Sequence, residues 1–352
     1  MTTQRSDLTR RQFLGVTATS VAVAAFGQLP RAFAAGPPKR KTILSFYCDD
    51  TSPRPAGAKA FQLFLDYCAQ QGIKGESSCI LGMGGASITR QPTDDERAYL
   101  DQVARAWECG LGSHMEIMTH GGRFDFEANR APKDAQHEGV WLHEPEVAVE
   151  QYERYFGKII AEGERANVRF TGFTWPGCGC EACTKRYQEL KAAGHTAPNP
   201  AMWKALLNLA KQGKFRGPTV PCFFDSSEKD YGAHCKASDG KYGVYDLMPN
   251  AGDKFATYRN SDRSEFLDAD YYITADGKSG IVVRHVAAGA PYCLFYGHWQ
   301  GLNPVNGLGW KAFNTVVERI RQHLEGRVVW MRPSEITDRY HQADGWSFLD
   351  TL

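Results

Sequence analysis

From residue 42 onward the chain alternates short runs of β-forming residues with longer segments carrying a helical apolar stripe. That alternation limits the fold more than any other feature. Residues 42–47 read as the first strand; residues 58–70 then place Phe61, Phe64, Leu65 and Cys68 on one helical face, and Gly72 stops the helix. A strand at 78–81 follows, and Thr93 with Glu96 forms a capping box opening a helix that carries Leu100 and Val103. The pattern continues as a strand at 112–118, a helix at 145–162 and a strand at 168–173. Between 178 and 270 it blurs into Gly-, Pro- and Asp-rich sequence around one helix, 201–211, which reads as an inserted irregular region. Strands at 281–284 and 292–296, a helix at 311–324, a strand at 328–331 and a short helix begun by Pro333 complete the chain. Repeated strand–helix units predict an α/β fold: a parallel sheet covered by helices, as a barrel or a doubly wound sheet.

Composition narrows the class. The 352 residues are 42% hydrophobic and 12% aromatic, enough apolar surface for a globular core. Forty-one basic against 40 acidic residues leave a formal +1, so no broad field recruits nucleic acid. At the N-terminus, Arg10-Arg11 precedes an apolar run at 15–27 and the small-residue site Ala32-Phe33-Ala34, the order of a twin-arginine export signal. Residues 1–34 are therefore expected to be a signal peptide, and 35–352 a single exported domain in the periplasm or medium. Removing that leader takes the formal charge from +1 to −2. No later segment has the roughly 18 uninterrupted apolar residues of a membrane span, so the mature chain is expected not to insert.

All ten cysteines lie in the exported part. Cys48, Cys68, Cys79, Cys109, Cys222 and Cys293 sit in apolar runs and read as small buried hydrophobes. Cys178, Cys180 and Cys183 form a tight polar cluster with a structural role, as disulfide or as zinc site with Cys235 a candidate fourth ligand.

In parallel α/β folds the reactive groups gather where strands end. Asp49-Asp50 follows the first strand, His114 and His120 the third, and His298 ends the late strand. One carboxylate and two imidazoles, Asp50 with His114 and His120, make an open three-ligand site for a divalent ion such as zinc, and Asp49 beside it is a candidate base. Glu116, His137 and His143 are alternative ligands. Trp141, Trp175 and Trp299, on expected strand ends or loops, are candidates for packing against a sugar. Gly82-Met83-Gly84-Gly85 lacks the lysine and helix spacing of a phosphate cradle and reads as a tight turn. Tyr242, Tyr245, Asp246, Tyr258 and Arg259 of the expected insertion are candidates for narrowing the mouth over a small or end-on carbohydrate.

Strand-Asp-Asp, a His-bearing strand end, the Trp175-Pro176-Gly177 turn and the closing order 291–298, 312–320, 327–336 resemble the polysaccharide deacetylase group, the NodB-homology domain of carbohydrate esterase family four. The resemblance spans roughly residues 42–340. It implies a distorted (β/α) barrel and metal-dependent removal of acetyl groups from an amino sugar or polysaccharide. Asp49 then matches the general base, Asp50 the metal carboxylate and His298 the acid at the leaving group. The sequence departs from that pattern twice. The histidines stand six apart rather than four, with Phe at 124, and the Trp-Pro-Gly turn lacks the family's arginine. Two other readings fit the same residues: a glycoside hydrolase or lyase working through carboxylates without metal, and a sugar-binding barrel without turnover.

Overall fold

The computed structural model describes residues 40–53, 56–81, 93–119, 121–175, 181–224, 226–255 and 267–352. The expected signal peptide, His120, Cys178, Cys180, the 82–85 turn, Tyr258 and Arg259 lie outside them.

Among the described residues, nine strands form one sheet: β1 Thr42–Thr51, β2 Gly75–Cys79, β3 Leu111–Met115, β4 Gly172–Thr174, β5 Thr219–Phe223, β6 Ala233–Ser238, β7 Gly243–Leu247, β8 Tyr292–His298 and β9 Val328–Trp330. Their order is β6-β7-β5-β4-β3-β2-β1-β8, with β9 also on β1. All pairings are parallel except β6–β7. The α/β expectation therefore holds, and the sheet is curled into a half-barrel. Its two ends are drawn together by the chain just past β7. Ala251 donates its N–H to Leu294 O at 3.1 Å and accepts from Tyr296 N at 3.0 Å. The Asn250 side chain acts as a further strand residue, accepting from Leu294 N at 2.8 Å and donating to Tyr292 O at 3.2 Å.

The region expected to be an irregular insertion is thus integral to the sheet. It supplies β5, β6, β7 and the closing segment, besides the helices Glu181–Ala192 and Pro200–Lys211. Its strands are only five or six residues long, and Pro221 inside β5 weakens the strand signal. A second departure is at 281, where a helix, Ile281–Ala287, replaces the expected strand. Ile281 and Val282 favour a strand locally, but the buried set Ile281, Val282, His285, Val286 recurs at helical spacing.

Two apolar bodies flank the sheet. The larger lies outside it, beneath the helices. Phe61, Phe64, Leu65 and Cys68 of the Gly57–Gln71 helix are buried there as expected, and the Thr93–Glu96 capping box forms with bonds of 3.2 and 2.7 Å. The smaller fills the curl, with Ile43, Tyr47, Phe223, Tyr245, Leu247, Tyr292 and Leu294. Side chains alternate across each strand, so Tyr47 facing inward carries Asp49 to the same side. Tyr292 and Leu294 likewise carry Tyr296 and His298. The six cysteines from apolar runs are all buried.

The interior is tight where β3, β4 and β5 meet. A Cβ on Gly172 would stand 2.3 Å from His114 Nε2 and 2.4 Å from the Pro221 carbonyl oxygen. Gly172→Ala is expected to cost about 1–3 kcal/mol by overpacking, measured by urea denaturation. An unchanged midpoint would show that these strands are not so close.

Candidate active site at the strand ends

The upper rim of the half-barrel collects the last residues of β1, β3 and β8. Asp49 and His298 are direct register partners on neighbouring parallel strands. Strict alternation would send Asp50 to the opposite face, but the β1–β2 register shifts between Cys48 and Thr51 and Asp50 takes a left-handed φ of 60°. A non-glycine residue in that region costs on the order of 1–2 kcal/mol and is held by its surroundings. Here the Asp50 N–H donates to Ser78 Oγ at 2.8 Å and to Asp49 Oδ1 at 3.1 Å. The bulge turns two successive carboxylates to one place.

Asp49 accepts four hydrogen bonds from the described residues. Its Oδ1 accepts from the Ser78 hydroxyl at 2.9 Å and the Tyr47 hydroxyl at 3.0 Å, besides the Asp50 amide. Its Oδ2 accepts from the Tyr296 hydroxyl at 2.8 Å. Strands β1, β2 and β8 therefore all fix one carboxylate. Tyr47 and Tyr296 stack nearly parallel, 9° apart, beneath it.

Glu116, one residue past β3 and 1% exposed, completes the group. Oxygens of Asp49, Asp50 and Glu116 lie within 4.8 Å of one another, the grouping among the described residues that can hold a cation. Three carboxylates form an all-oxygen donor set, which fits a hard divalent ion such as magnesium, calcium or manganese. The loop after Glu116 is anchored by buried Glu138, which accepts from Thr119 N at 2.8 Å, the Thr119 hydroxyl at 2.9 Å, Phe124 N at 3.3 Å and the Tyr155 hydroxyl.

His298 stands over this group, 3% exposed. Its Nδ1 bonds Asp253 Oδ2 at 2.8 Å, while its Nε2 lies 3.2 Å from Tyr296 Oη and 3.8 Å from Asp49 Oδ2. Burial works to lower its pKa, but the Asp253 hydrogen bond and the charges of Asp49, Asp253 and Asp50 outweigh that and raise it above the ordinary imidazole value. The arrangement favours the protonated imidazole and directs Nε2 toward Tyr296 and Asp49. Asp253 was not singled out in the sequence; it sits two residues past the Ala251 closure, in the stretch expected to be irregular.

Other expected site residues are placed differently. His114 lies one layer below the rim, fully buried, with Nε2 against Glu76 and Nδ1 3.2 Å from Thr174 Oγ1. Burial lowers its pKa to about 3, and Glu116, two residues on, reaches the rim in its stead. Trp299 is wholly buried, edge-on against Phe61 and Phe64 at 5.5 and 5.8 Å, so it serves the outer core. Trp141 packs between Tyr152 and Tyr155, and Trp175 against His143 and Phe224. Both rings are more than nine-tenths buried. His137 Nδ1 accepts from Gly139 N and lies 3.3 Å from buried Cys183 Sγ. Asp246 is buried against Lys236, Tyr245 faces inward, and Cys235 is exposed.

No family model and no curated protein matches the chain. Among solved structures it is similar to one described as T48 deacetylase with substrate, at 10% identity and TM-score 0.38, over 87% of this chain and 92% of that one. A 4-alpha-glucanotransferase from Thermococcus litoralis aligns at 10% identity and TM-score 0.42, over 85% of this chain and 40% of the other. A structure of the pneumococcal virulence factor StrH aligns at 10% identity and TM-score 0.42, over 81% and 85%. No helix of the described residues is long and apolar enough to cross a membrane.

Asp253→Asn removes a hydrogen-bonded charge that raises the His298 pKa, so the imidazole pKa is expected to fall. Proton NMR titration of the His298 ring measures it; an unmoved midpoint would mean that Asp253 does not set the protonation of His298.

Proposed function

We propose that the protein is a hydrolase that removes an acyl group from a carbohydrate, with Asp50 and Glu116 as cation ligands, Asp49 as general base and His298 as general acid. The observation that carries this reading is the pairing, across neighbouring strands, of a rigidly held carboxylate with an imidazole whose second nitrogen is bonded to Asp253. A base and an acid at one rim are what acyl transfer to water requires. A divalent cation bound there would supply Lewis acidity toward water and the acyl oxygen. Its proposed donors are oxygens, which favours magnesium, calcium or manganese over the zinc expected from two imidazole ligands.

The chain's own residues divide the work. Asp49 takes a proton from the attacking water, its orientation fixed by Ser78, Tyr47 and Tyr296. His298 gives its Nε2 proton to the departing amine or alcohol, and Asp253 stabilises the imidazolium until that transfer. Tyr296 bridges the two, hydrogen-bonded to Asp49 Oδ2 and to His298 Nε2, a short return path for the proton after turnover. A carbohydrate substrate and export by the twin-arginine route belong to the same proposal.

One observation favours a second reading. Asp49, Asp50 and Glu116 are gathered at one rim, and paired carboxylates are also what glycosidases use, so hydrolysis of a glycosidic bond by the carboxylates without metal is the alternative.

The test is release of acetate against release of reducing ends from acetylated chitooligosaccharides. Asp50→Asn is expected to lower acetate release by roughly 10²-fold or more. Chelation is expected to lower it likewise in the native protein, and added manganese or magnesium to restore it. Undiminished hydrolysis after both treatments would sink the metal-dependent reading, and new reducing ends without acetate would favour the glycosidase.

A further inference from the structure

The hydrogen bonds of Asp49 continue down into the half-barrel. Tyr47 Oη, 3.0 Å from Asp49 Oδ1, is also bonded to Thr174 Oγ1. Thr174 Oγ1 lies 3.2 Å from His114 Nδ1, and His114 Nε2 is in contact with Glu76 Oε2. The other Glu76 oxygen accepts from Ser334 N at 2.8 Å. Tyr47, His114 and Glu76 are 0% exposed and Thr174 is 2% exposed. The reaction proposed above uses neither His114 nor Glu76.

Each group between the ends has one proton and can place it on one side only. Neutral imidazole carries a single N–H, on Nδ1 or on Nε2, and the complete burial of His114 favours that neutral form. An imidazole nitrogen in contact with a carboxyl oxygen needs a proton between them, since otherwise two lone pairs face each other. Two arrangements of the chain satisfy these conditions. With Glu76 protonated, Glu76 donates to His114 Nε2, His114 Nδ1–H to Thr174, Thr174 to Tyr47, and Tyr47 to Asp49. With Glu76 ionised, His114 Nε2–H donates to Glu76, Thr174 to Nδ1, Tyr47 to Thr174, and Asp49 loses that donor. The two differ by one proton.

We propose that Glu76 is a positioning residue whose protonation sets the direction of this hydrogen-bond chain, and so whether Tyr47 donates to Asp49. The role rests on Asp49 being the base of the proposed reaction. Titratable and charged groups face Glu76 from each packed element: Tyr47 from β1, His114 from β3 and Arg332 ahead of the Pro333–Gln342 helix. Burial pushes the Glu76 carboxyl up to about 7, against the hydrogen bonds from Ser334 and Thr171 and the charge of Arg332. While Glu76 is protonated the chain points toward Asp49; once it is ionised the chain points away.

The test reads the His114 tautomer in ¹⁵N-labelled native protein by long-range nitrogen–proton NMR from about pH 5.5 to about pH 8.5, with the signals assigned by their loss in His114→Gln. The expected result is an Nδ1–H form at the acid end that gives way to Nε2–H at the alkaline end. In Glu76→Gln the side-chain amide donates to Nε2 at every pH, so the Nδ1–H form is expected throughout. One unchanging tautomer in the native protein, or a Glu76→Gln titration matching it, overturns the proposal; if Glu76→Gln does not fold, the native titration alone decides. The readout needs no substrate, so loss of the hydrolase reading and loss of this one are separable.

Discussion

The bulge between Cys48 and Thr51 is the constraint on which the site depends. A regular parallel strand alternates its side chains and delivers one residue in two to the rim. Two adjacent carboxylates reach one place only because Asp50 adopts a left-handed backbone, and that backbone is secured by hydrogen bonds to Ser78 and to Asp49 itself. The cost of the conformation and the reward of the bonds are local and of similar size, about 1–2 kcal/mol. Ser78, a small hydroxyl on the adjacent strand, is thus as necessary to the geometry as the acids it holds.

Beneath the rim a polar column runs through the apolar filling of the curl, where a small barrel ordinarily holds packed side chains alone. Tyr47, Thr174, His114, Glu76 and Tyr296 form connected hydrogen bonds and contacts. Such a column is tolerable because its members satisfy one another; a buried polar group left without a partner costs about 1–3 kcal/mol. The surrounding apolar residues, with Phe223 stacked on His114 and tilted against Tyr47, shield the network from water. That low-dielectric setting explains the opposed tendencies of its ionisable members: burial disfavours charge on either, raising the Glu76 carboxyl and lowering the His114 imidazole.

Local signals carried the α/β class, the face of the 57–71 helix, the Thr93 capping box and the positions of Asp49, Asp50 and His298 at strand ends. Each is written within a window of a few residues. What the sequence left hidden is non-local. Asp253 reaches His298 only because the chain past β7 returns to β8, and the pairing that achieves it involves Asn250 and Ala251, an ordinary loop sequence. Glu116 could be named only as an alternative ligand, since His114, on the same face of β3, has equal claim until depth inside the curl separates them. The tryptophans misled for a related reason: proximity to a strand end does not say whether a ring turns toward the mouth or folds back into the core, and Trp299, directly after His298, folds back.

The seam made by Asn250 and Ala251 on β8 joins scaffold and chemistry. Two and three residues downstream of it comes the carboxylate that steadies the imidazole. Register at the seam therefore fixes how far Asp253 reaches: a slip of one residue would carry it about 3 Å along the strand direction and leave His298 buried without its counter-charge. The join that completes the sheet is thus also what brings Asp253 to His298: without it the carboxylates and the imidazole would still meet on neighbouring strands, and the hydrogen bond that helps keep the imidazole charged would be missing.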